Sequence, residues 1–295
     1  MEYISVLQFA EKFGISERTA RNYCASRKIE GAFLTGKTWN IPADAVPPQR
    51  GAAMKKVSPL LTALREQKAS RLKGGIYHRT QIDLTYNSNH IEGSRLTHDQ
   101  TRYIFETNTI GITDETVNVD DIVETVNHFR CIDYIIDHAE EPITEAFIKQ
   151  LHLLLKMGTS DSRKDWFAVG EYKRLANEVG GQETCPPEEV HRQIKSLLNE
   201  YHRNKHKSLE DILDFHVHFE QIHPFQDGNG RVGRLLMFKE CLANGIVPFI
   251  ISDDLKLFFY RGLREWGHIN GFLTDTCLTA QDQYKSLLDY FKIKY

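Results

Sequence analysis

The span His223-Pro224-Phe225-Gln226-Asp227-Gly228-Asn229-Gly230-Arg231-Val232-Gly233-Arg234 sets a histidine, a carboxylate, three glycines, an asparagine and two arginines within twelve residues. Gly228 and Gly230 let neighbouring backbone N–H groups converge on one point. That makes an anion nest opening onto the N-terminus of a helix expected from Arg231 to Ala243, a place suited to phosphate. Arg231 and Arg234, three residues apart, share a helix face and bring permanent positive charge in a planar fork. Asp227 offers a hard oxygen beside those phosphates, and Mg2+ needs only one or two carboxylates when phosphate and water supply the rest. His223, with an ordinary pKa of about 6.5, suits a base that takes the proton of an attacking hydroxyl. Pro224 fixes the turn, Phe225 anchors the loop into the core, and Asn229 either bonds a phosphate oxygen or holds the loop. Together these residue types point to transfer of part of a nucleotide.

Helices must flank such a loop. Ile212, Phe215, Phe219 and Ile222 recur at helical spacing and predict one buried face on a helix from Ser208 to about Ile222. Others are expected from Val119 to about Ala139, from a Thr144 cap through Met157, and from Pro187 to His202, and the helix after Gly230 reads as apolar on one side. Residues 170–180, glycine-bounded and lying between helices, predict an extended hairpin.

The first residues follow a different plan. Val6, Leu7, Ala10 and Phe13 recur at helical spacing, Gly14 stops that helix, and Ser16 caps a second from Glu17 to Lys28, with Ala20, Tyr23 and Cys24 inward. Residues 31–42 read as two short strands about a glycine turn. Helix, tight turn, helix and hairpin resemble the small winged helix-turn-helix domains of the excisionase and MerR-like type. The resemblance implies that Arg18, Arg21, Arg27, Lys28 and Lys37 reach a DNA groove and its phosphates; a protein-docking module with a solvated basic helix is the plainer alternative. This domain is expected over 1–46, a linker rich in proline and polar residues over 47–56, and the helical domain over 57–295.

Composition narrows the classes. At 295 residues, 41% hydrophobic and 11% aromatic, the chain can bury a real core. A net charge of -3 excludes a protein that coats nucleic acid or membranes broadly. No apolar run is long enough to span a bilayer, no signal peptide is visible, and five scattered cysteines form no C-x-x-C pair; reduced thiols in a cytoplasmic protein are expected.

The motif at 223–234 matches at every defined position the signature H-P-F-x-[D/E]-G-N-G-R-x-x-R of the Fic (filamentation induced by cAMP) family, and the surrounding pattern is similar from roughly Lys55 onward. The resemblance implies a mainly α, all-helical fold with a β-hairpin flap, and transfer of AMP from Mg-ATP to a Ser, Thr or Tyr hydroxyl of a target protein. The related Doc-type kinases replace the Gly-Asn-Gly core, which is intact here. By the same resemblance His223 is the base, Asp227 the Mg2+ ligand, and Gly228, Asn229, Gly230 and Arg231 hold the α- and β-phosphates. Arg234 reaches the γ-phosphate, Tyr260 lines the adenine pocket, and Tyr172, Lys173, Arg174, Leu175, Ala176 and Asn177 lie in the flap that pins the target by strand addition. Helix-turn-helix modules and Fic domains both self-associate, which implies a symmetric dimer.

Ser88-Asn89-His90-Ile91-Glu92-Gly93 alone reads as a helix end capped by Gly93. Beside a Fic core it looks like the family's inhibitory motif, [S/T]-x-x-x-E-[G/N]. Glu92 would pair with Arg234, withhold it from the γ-phosphate and leave ATP misaligned for in-line attack, while Ser88 bonds within its own helix. Three readings stay open: a self-inhibited adenylyltransferase; a DNA-binding regulator whose Fic domain senses nucleotide; and a Fic enzyme that uses UTP, GTP or a phosphocholine nucleotide, or that removes AMP with Glu92 orienting water.

Overall fold

Ser58, Thr97, Thr144 and Ser208 each turn a side-chain oxygen onto the backbone N–H three residues on, and each starts a helix there. In the computed structural model, which describes residues 3–36, 38–47, 58–111 and 116–295, the chain divides into two compact units, Met1–Lys56 and Val57–Tyr295. Lys37 and residues 48–56 of the expected linker lie outside the described residues.

In the first unit, β1 (Tyr3–Ser5) runs into α1 (Val6–Phe13), where Ser5 and Gln8 cap each other reciprocally. Gly14, at φ +62°, ends α1, and Ser16 caps α2 (Glu17–Ala25). β2 (Phe33–Thr35) and β3 (Thr38–Pro42) are antiparallel, and β1 pairs with the other edge of β3. Phe9, Ala20, Cys24 and Ile41 fill the core. Three features depart from the sequence pattern. β1 is too short to show a period. Leu7 is 51% exposed, because Val6, Phe9 and Ala10 carry the buried stripe. The second helix stops before Lys28, because the Ser26 hydroxyl takes the Asn22 and Tyr23 carbonyls and Arg27 turns left-handed at φ 54°. Arg18, Arg21, Arg27 and Lys28 are all exposed, with Arg21 3.3 Å from Glu17.

The second unit is helical: α3 (Pro59–Ser70), α4 (Ile76–Ile91), α5 (His98–Thr107), α6 (Val119–Asp137) and α7 (Glu145–Lys156) come first. A small hairpin follows, β4 (Glu178–Val179) and β5 (Gln182–Glu183), then α8 (Pro187–Tyr201), α9 (Leu209–Ile222), α10 (Asn229–Asn244), α11 (Lys256–Glu265) and α12 (Gly271–Tyr290). The main core joins Ile132 and Ile135 of α6, Leu151 and Leu155 of α7, Phe215 and Phe219 of α9, and Val232 and Leu235 of α10. Among the described residues, no helix is long and apolar enough to cross a membrane.

Two expectations are corrected here. α10 begins at Asn229, not Arg231, and is enclosed on nearly every side rather than on one. Its Lys239 and Glu240 are buried as a pair 2.8 Å apart, and Tyr201 donates to Glu240 at 2.7 Å. The hairpin lies at 178–183 rather than 170–180, because Gly180 and Gly181, at φ +60° and +78°, supply the left-handed turn.

Candidate active site

α9 ends where His223 adopts the left-handed conformation (φ 50°, ψ 62°), an uncommon one for a residue with a Cβ. This turns the chain out of the helix and points Nδ1 back at the Glu220 carbonyl, 3.3 Å away. A carbonyl only accepts, so Nδ1 carries the hydrogen and Nε2 keeps its lone pair. Burial lowers the His223 pKa and so favours the neutral, proton-accepting ring.

The loop beyond is clamped. Phe225 is fully buried and stacks on the His152 ring at 3.9 Å and 6°. Asn229 is spent on that loop: its amide donates to the Phe225 carbonyl at 2.8 Å and its oxygen accepts the Phe225 N–H at 2.8 Å. Of the two roles open to its side chain, holding the loop is the one seen, which leaves its backbone N–H for an anion. Gly228 sits at φ +81° as the N-cap of α10, and no side chain among the described residues caps that helix.

A charge network fills the mouth of α10. Asp227, half-exposed, lies 2.7 Å from Lys156 and 3.2 Å from Arg231. Burial alone would raise its pKa; the Arg231 and Lys156 charges outweigh that and hold it well below the usual carboxylate range. Lys156, 2% exposed, also meets Glu124 at 2.5 Å and Asp161 at 3.0 Å, and Arg231 pairs with Glu124. Arg231 Nε is buried without a hydrogen-bond partner among the described residues. An orphaned guanidinium N–H beside an uncapped helix N-terminus and a half-exposed carboxylate is a donor set that fits phosphate with Mg2+.

Arg234 is 6% exposed. Its Nη2 donates to Glu92 Oε1 at 2.6 Å and to the Ser88 carbonyl at 3.0 Å, and its Nε donates to the Ser88 hydroxyl at 3.0 Å. Ser88 therefore reaches across to α10, not along its own helix. Burial would raise the Glu92 pKa, yet the Arg234 and Arg231 charges hold it below the ordinary value. Gly93, at φ +97°, lets the chain leave α4 directly after Glu92. A Cβ on Gly230 would overlap Glu92 Oε1 and lie 2.9 Å from Arg234 Nη1, so a side chain there would displace the Glu92 carboxylate from this position.

The flap reading divides. Lys173 is 4% exposed and faces inward: its N–H bonds the Pro224 carbonyl at 2.8 Å and its Nζ bonds Asn177 and Thr184 at 2.7 and 2.6 Å. Asn177 donates to the Phe225 carbonyl at 3.0 Å, and Tyr172 donates to Glu145 at 3.0 Å. Lys173 and Asn177 fasten the segment to the motif and Tyr172 ties it to α7, while Arg174, Leu175 and Ala176 are exposed. Tyr260, on α11, is 42% exposed; burial of its hydroxyl and the Glu92 charge raise its pKa, which sets it close to the Glu92–Arg234 pair. Sequence reasoning missed Glu124, His152, Lys156, His216 and Glu220. The pairs 152/156 and 216/220 carry a faint signal, polar residues four apart that fall among the apolar positions of amphipathic helices.

Residues 142–241 match the model of the Fic/DOC family. A protein adenylyltransferase Fic of Nematostella vectensis is 26% identical over 187 residues, 62% of this chain and 42% of that protein. The Drosophila virilis protein of the same name is 26% identical over 220 residues, 72% of this chain and 41% of its own length. The chain thus spans less than half of the curated relatives it matches. Among solved structures, a Fic-domain-containing signalling protein from Bacteroides thetaiotaomicron aligns with a TM-score of 0.58 at 24% identity, covering 78% of this chain and 90% of that one. Fic-1 from C. elegans aligns at 0.60 and 19%, covering 79% and 72%. The second unit has the all-helical Fic fold with its small hairpin.

Asn229→Ala should destabilise the second unit by about 1–3 kcal/mol, the cost of orphaning buried backbone groups. Urea denaturation followed by tryptophan fluorescence measures it; an unchanged midpoint would show that the clamp contributes nothing.

Proposed function

We propose that the chain is a protein adenylyltransferase held in check by its own Glu92. The observation that carries this reading is the single turn from His223 to Arg231, which puts a base with a free Nε2 beside a helix N-terminus and an unsatisfied guanidinium. The target's Ser, Thr or Tyr hydroxyl gives its proton to His223 Nε2 as its oxygen bonds to the α-phosphorus, and the bond from that phosphorus to the pyrophosphate oxygen breaks. Backbone N–H groups of Gly228, Asn229 and Gly230, with Arg231, hold the α- and β-phosphates. Mg2+, bound through Asp227, would offset phosphate charge. Arg234 serves the γ-phosphate only when Glu92 lets go, and Tyr260 walls the adenine side. Arg174, Leu175, Ala176 and the outer edge of β4 face the target. The names of the curated relatives support AMP as the group transferred; removal of AMP and other nucleotide donors are outcomes the same assay reports.

A second activity suits the first unit. The Ser16-capped α2 presents Arg18 and Arg21, with Arg27 and Lys28 just beyond, all exposed, and β2–β3 forms a wing. This arrangement supports DNA binding through phosphates.

Glu92→Gly should raise auto-AMPylation with labelled ATP by on the order of 5- to 150-fold, the usual span of coupling between sites. His223→Ala in that background should abolish the signal. Equal activity with and without Glu92 at saturating Mg-ATP would place the brake elsewhere, and label from GTP or UTP in preference to ATP would change the donor. For DNA, log affinity against log salt should fall with a slope of about −3, and Arg18→Ala with Lys28→Ala should flatten it by about 2; a salt-independent or undetectable interaction would leave the first unit a protein-docking module.

A further inference from the structure

Behind the base lies a carboxyl that the proposed mechanism does not use. Glu220 stands on the last turn of α9, three residues before His223. Its Oε2 is 3.9 Å from His223 Nδ1, and its Oε1 is 3.9 Å from His216 Nδ1. Glu220 Oε1 and both ring nitrogens of His216 are sealed from solvent with no hydrogen-bond partner among the described residues. A carboxyl and an imidazole left unsatisfied in an enclosed space are costly, and nothing in the packing of the core calls for them. The space exists because α10 carries glycine at this level. A Cβ on Gly233 would stand 2.6 Å from Glu220 Oε1 and 2.7 Å from His216 Cε1.

We propose that the Glu220 side chain is a positioning residue for His223: it backs the inward Nδ1 edge of the ring and stabilises the positive charge that appears there when Nε2 takes the target's proton. This rests on the adenylyltransferase reading. No proton leaves or joins Glu220 in the step. The hydroxyl hydrogen moves to His223 Nε2, the oxygen–phosphorus bond forms, and the bond to pyrophosphate breaks, while the Glu220 carboxylate compensates the imidazolium from behind. The backbone carbonyl of Glu220 fixes the tautomer, and its side chain sets the basicity.

The groups that face this carboxyl define its titration. From α9 these are His216 and His223; from α10, Arg234; from the end of α4, Glu92; from α11, the Tyr260 hydroxyl. Lys173 and Asp227 act on His223 itself. Enclosure pushes the Glu220 pKa up, to about 8, with Glu92 adding to the rise and Arg234 opposing it; a side-chain exposure of 19% tempers the effect without changing its direction. His216 is pushed down to about 3 by burial and stays neutral. Glu220 is therefore uncharged at neutral pH and gains its charge as pH rises through about 8, where it makes His223 a stronger base. The stability term has the opposite sense. The folded chain keeps a proton that the unfolded chain loses above the ordinary carboxylate value, so Glu220 costs stability as pH rises from there through about 8. A neutral glutamine carries no such cost, so Glu220→Gln should fold at least as well as the parent at pH 7.

Initial rates of auto-AMPylation in the Glu92→Gly protein, from pH 6 to 9.5, test the proposal against Glu220→Gln and His223→Ala in the same background. The parent should show a rising limb centred near pH 8. Glu220→Gln should lose that limb and run about tenfold slower at pH 9, with its ATP affinity unchanged and its melting temperature no lower than the parent's. A Glu220→Gln protein with the parent's limb and rate, where His223→Ala is dead, would overturn the role of Glu220 alone. If His223→Ala also retains activity, it is His223 as the base that fails, and with it the role of Glu220; if the Glu92→Gly parent transfers no AMP, it is the adenylyltransferase reading that fails. Should Glu220→Gln not fold, the ring carbons of His223 in the Glu92→Gly protein decide by NMR: a second titration step near pH 8 supports the coupling, and a single step below neutrality overturns it.

Discussion

A guanidinium closed off from water must have an anion beside it, and Arg234 meets that demand with Glu92. Ser88 offers a hydroxyl and a carbonyl, which orient the fork but carry no charge. Breaking a buried ion pair by removing one partner typically costs about 3–5 kcal/mol. Arg234 is therefore never simply released; one anion replaces another. If a phosphate is the replacement, the Glu92 contact and the phosphate contact are two occupancies of a single cation. The backbone enforces this exclusivity. Gly230 is bare so that the Glu92 carboxylate can lie against α10, in the space a side chain would take.

The same logic governs the mouth of α10. Lys156 and Arg231 stand against Glu124, Asp161 and Asp227, and Lys164 balances Asp161 from outside at 2.6 Å. Three cations and three carboxylates make the group internally neutral. A phosphate that engages Arg231 must draw it from Glu124, and a cation that engages Asp227 must draw it from Lys156. Either exchange alone upsets that neutrality in a poorly solvated place. Made together, the added phosphate and cation charges offset each other, and the groups they displace, Glu124 and Lys156, already touch at 2.5 Å. On the proposed reading, the network would therefore favour nucleotide and metal arriving as a pair.

Much of this was legible in the sequence, for identifiable reasons. Helix starts at Thr144 and Ser208 could be read because capping is local, and the α9 stripe because burial imposes a period. The spacing of His223, Asp227, Arg231 and Arg234 could be read because one loop and one helix turn hold them all. Lys156, Glu124 and Glu220 could not, because each draws its meaning from residues distant in sequence or from a helix packed across from it. A charged residue on an amphipathic helix ordinarily faces solvent, and α10 reads as one-sided in the sequence because its Lys239 and Glu240, paired inside, look like a solvated face. The hairpin was misplaced for a related reason. Its glycine turn at 180–181 was visible, but the preceding residues looked extended too, and only tertiary hydrogen bonds show that they belong to the motif loop instead.

That displacement changes what residues 172–177 do mechanically. With strands at 178–183, the segment from Tyr172 to Asn177 becomes the tether between the hairpin and the loop that follows His223. The Lys173 N–H holds the Pro224 carbonyl and Asn177 holds the Phe225 carbonyl, so the tether grips the two residues that follow His223. Lys173 Nζ lies 3.4 Å from the Ile222 carbonyl, on the other side of the same histidine. Burial lowers that lysine to about 8, so near neutrality it still carries most of its charge and adds to what keeps His223 unprotonated. The left-handed conformation of His223 is thus braced from both sides by the segment that leads to the hairpin. On the proposed reading, a polypeptide seated along β4 would bear on the orientation of His223 through bonds that already exist, and one piece of chain would set both the placement of the target hydroxyl and the aim of Nε2.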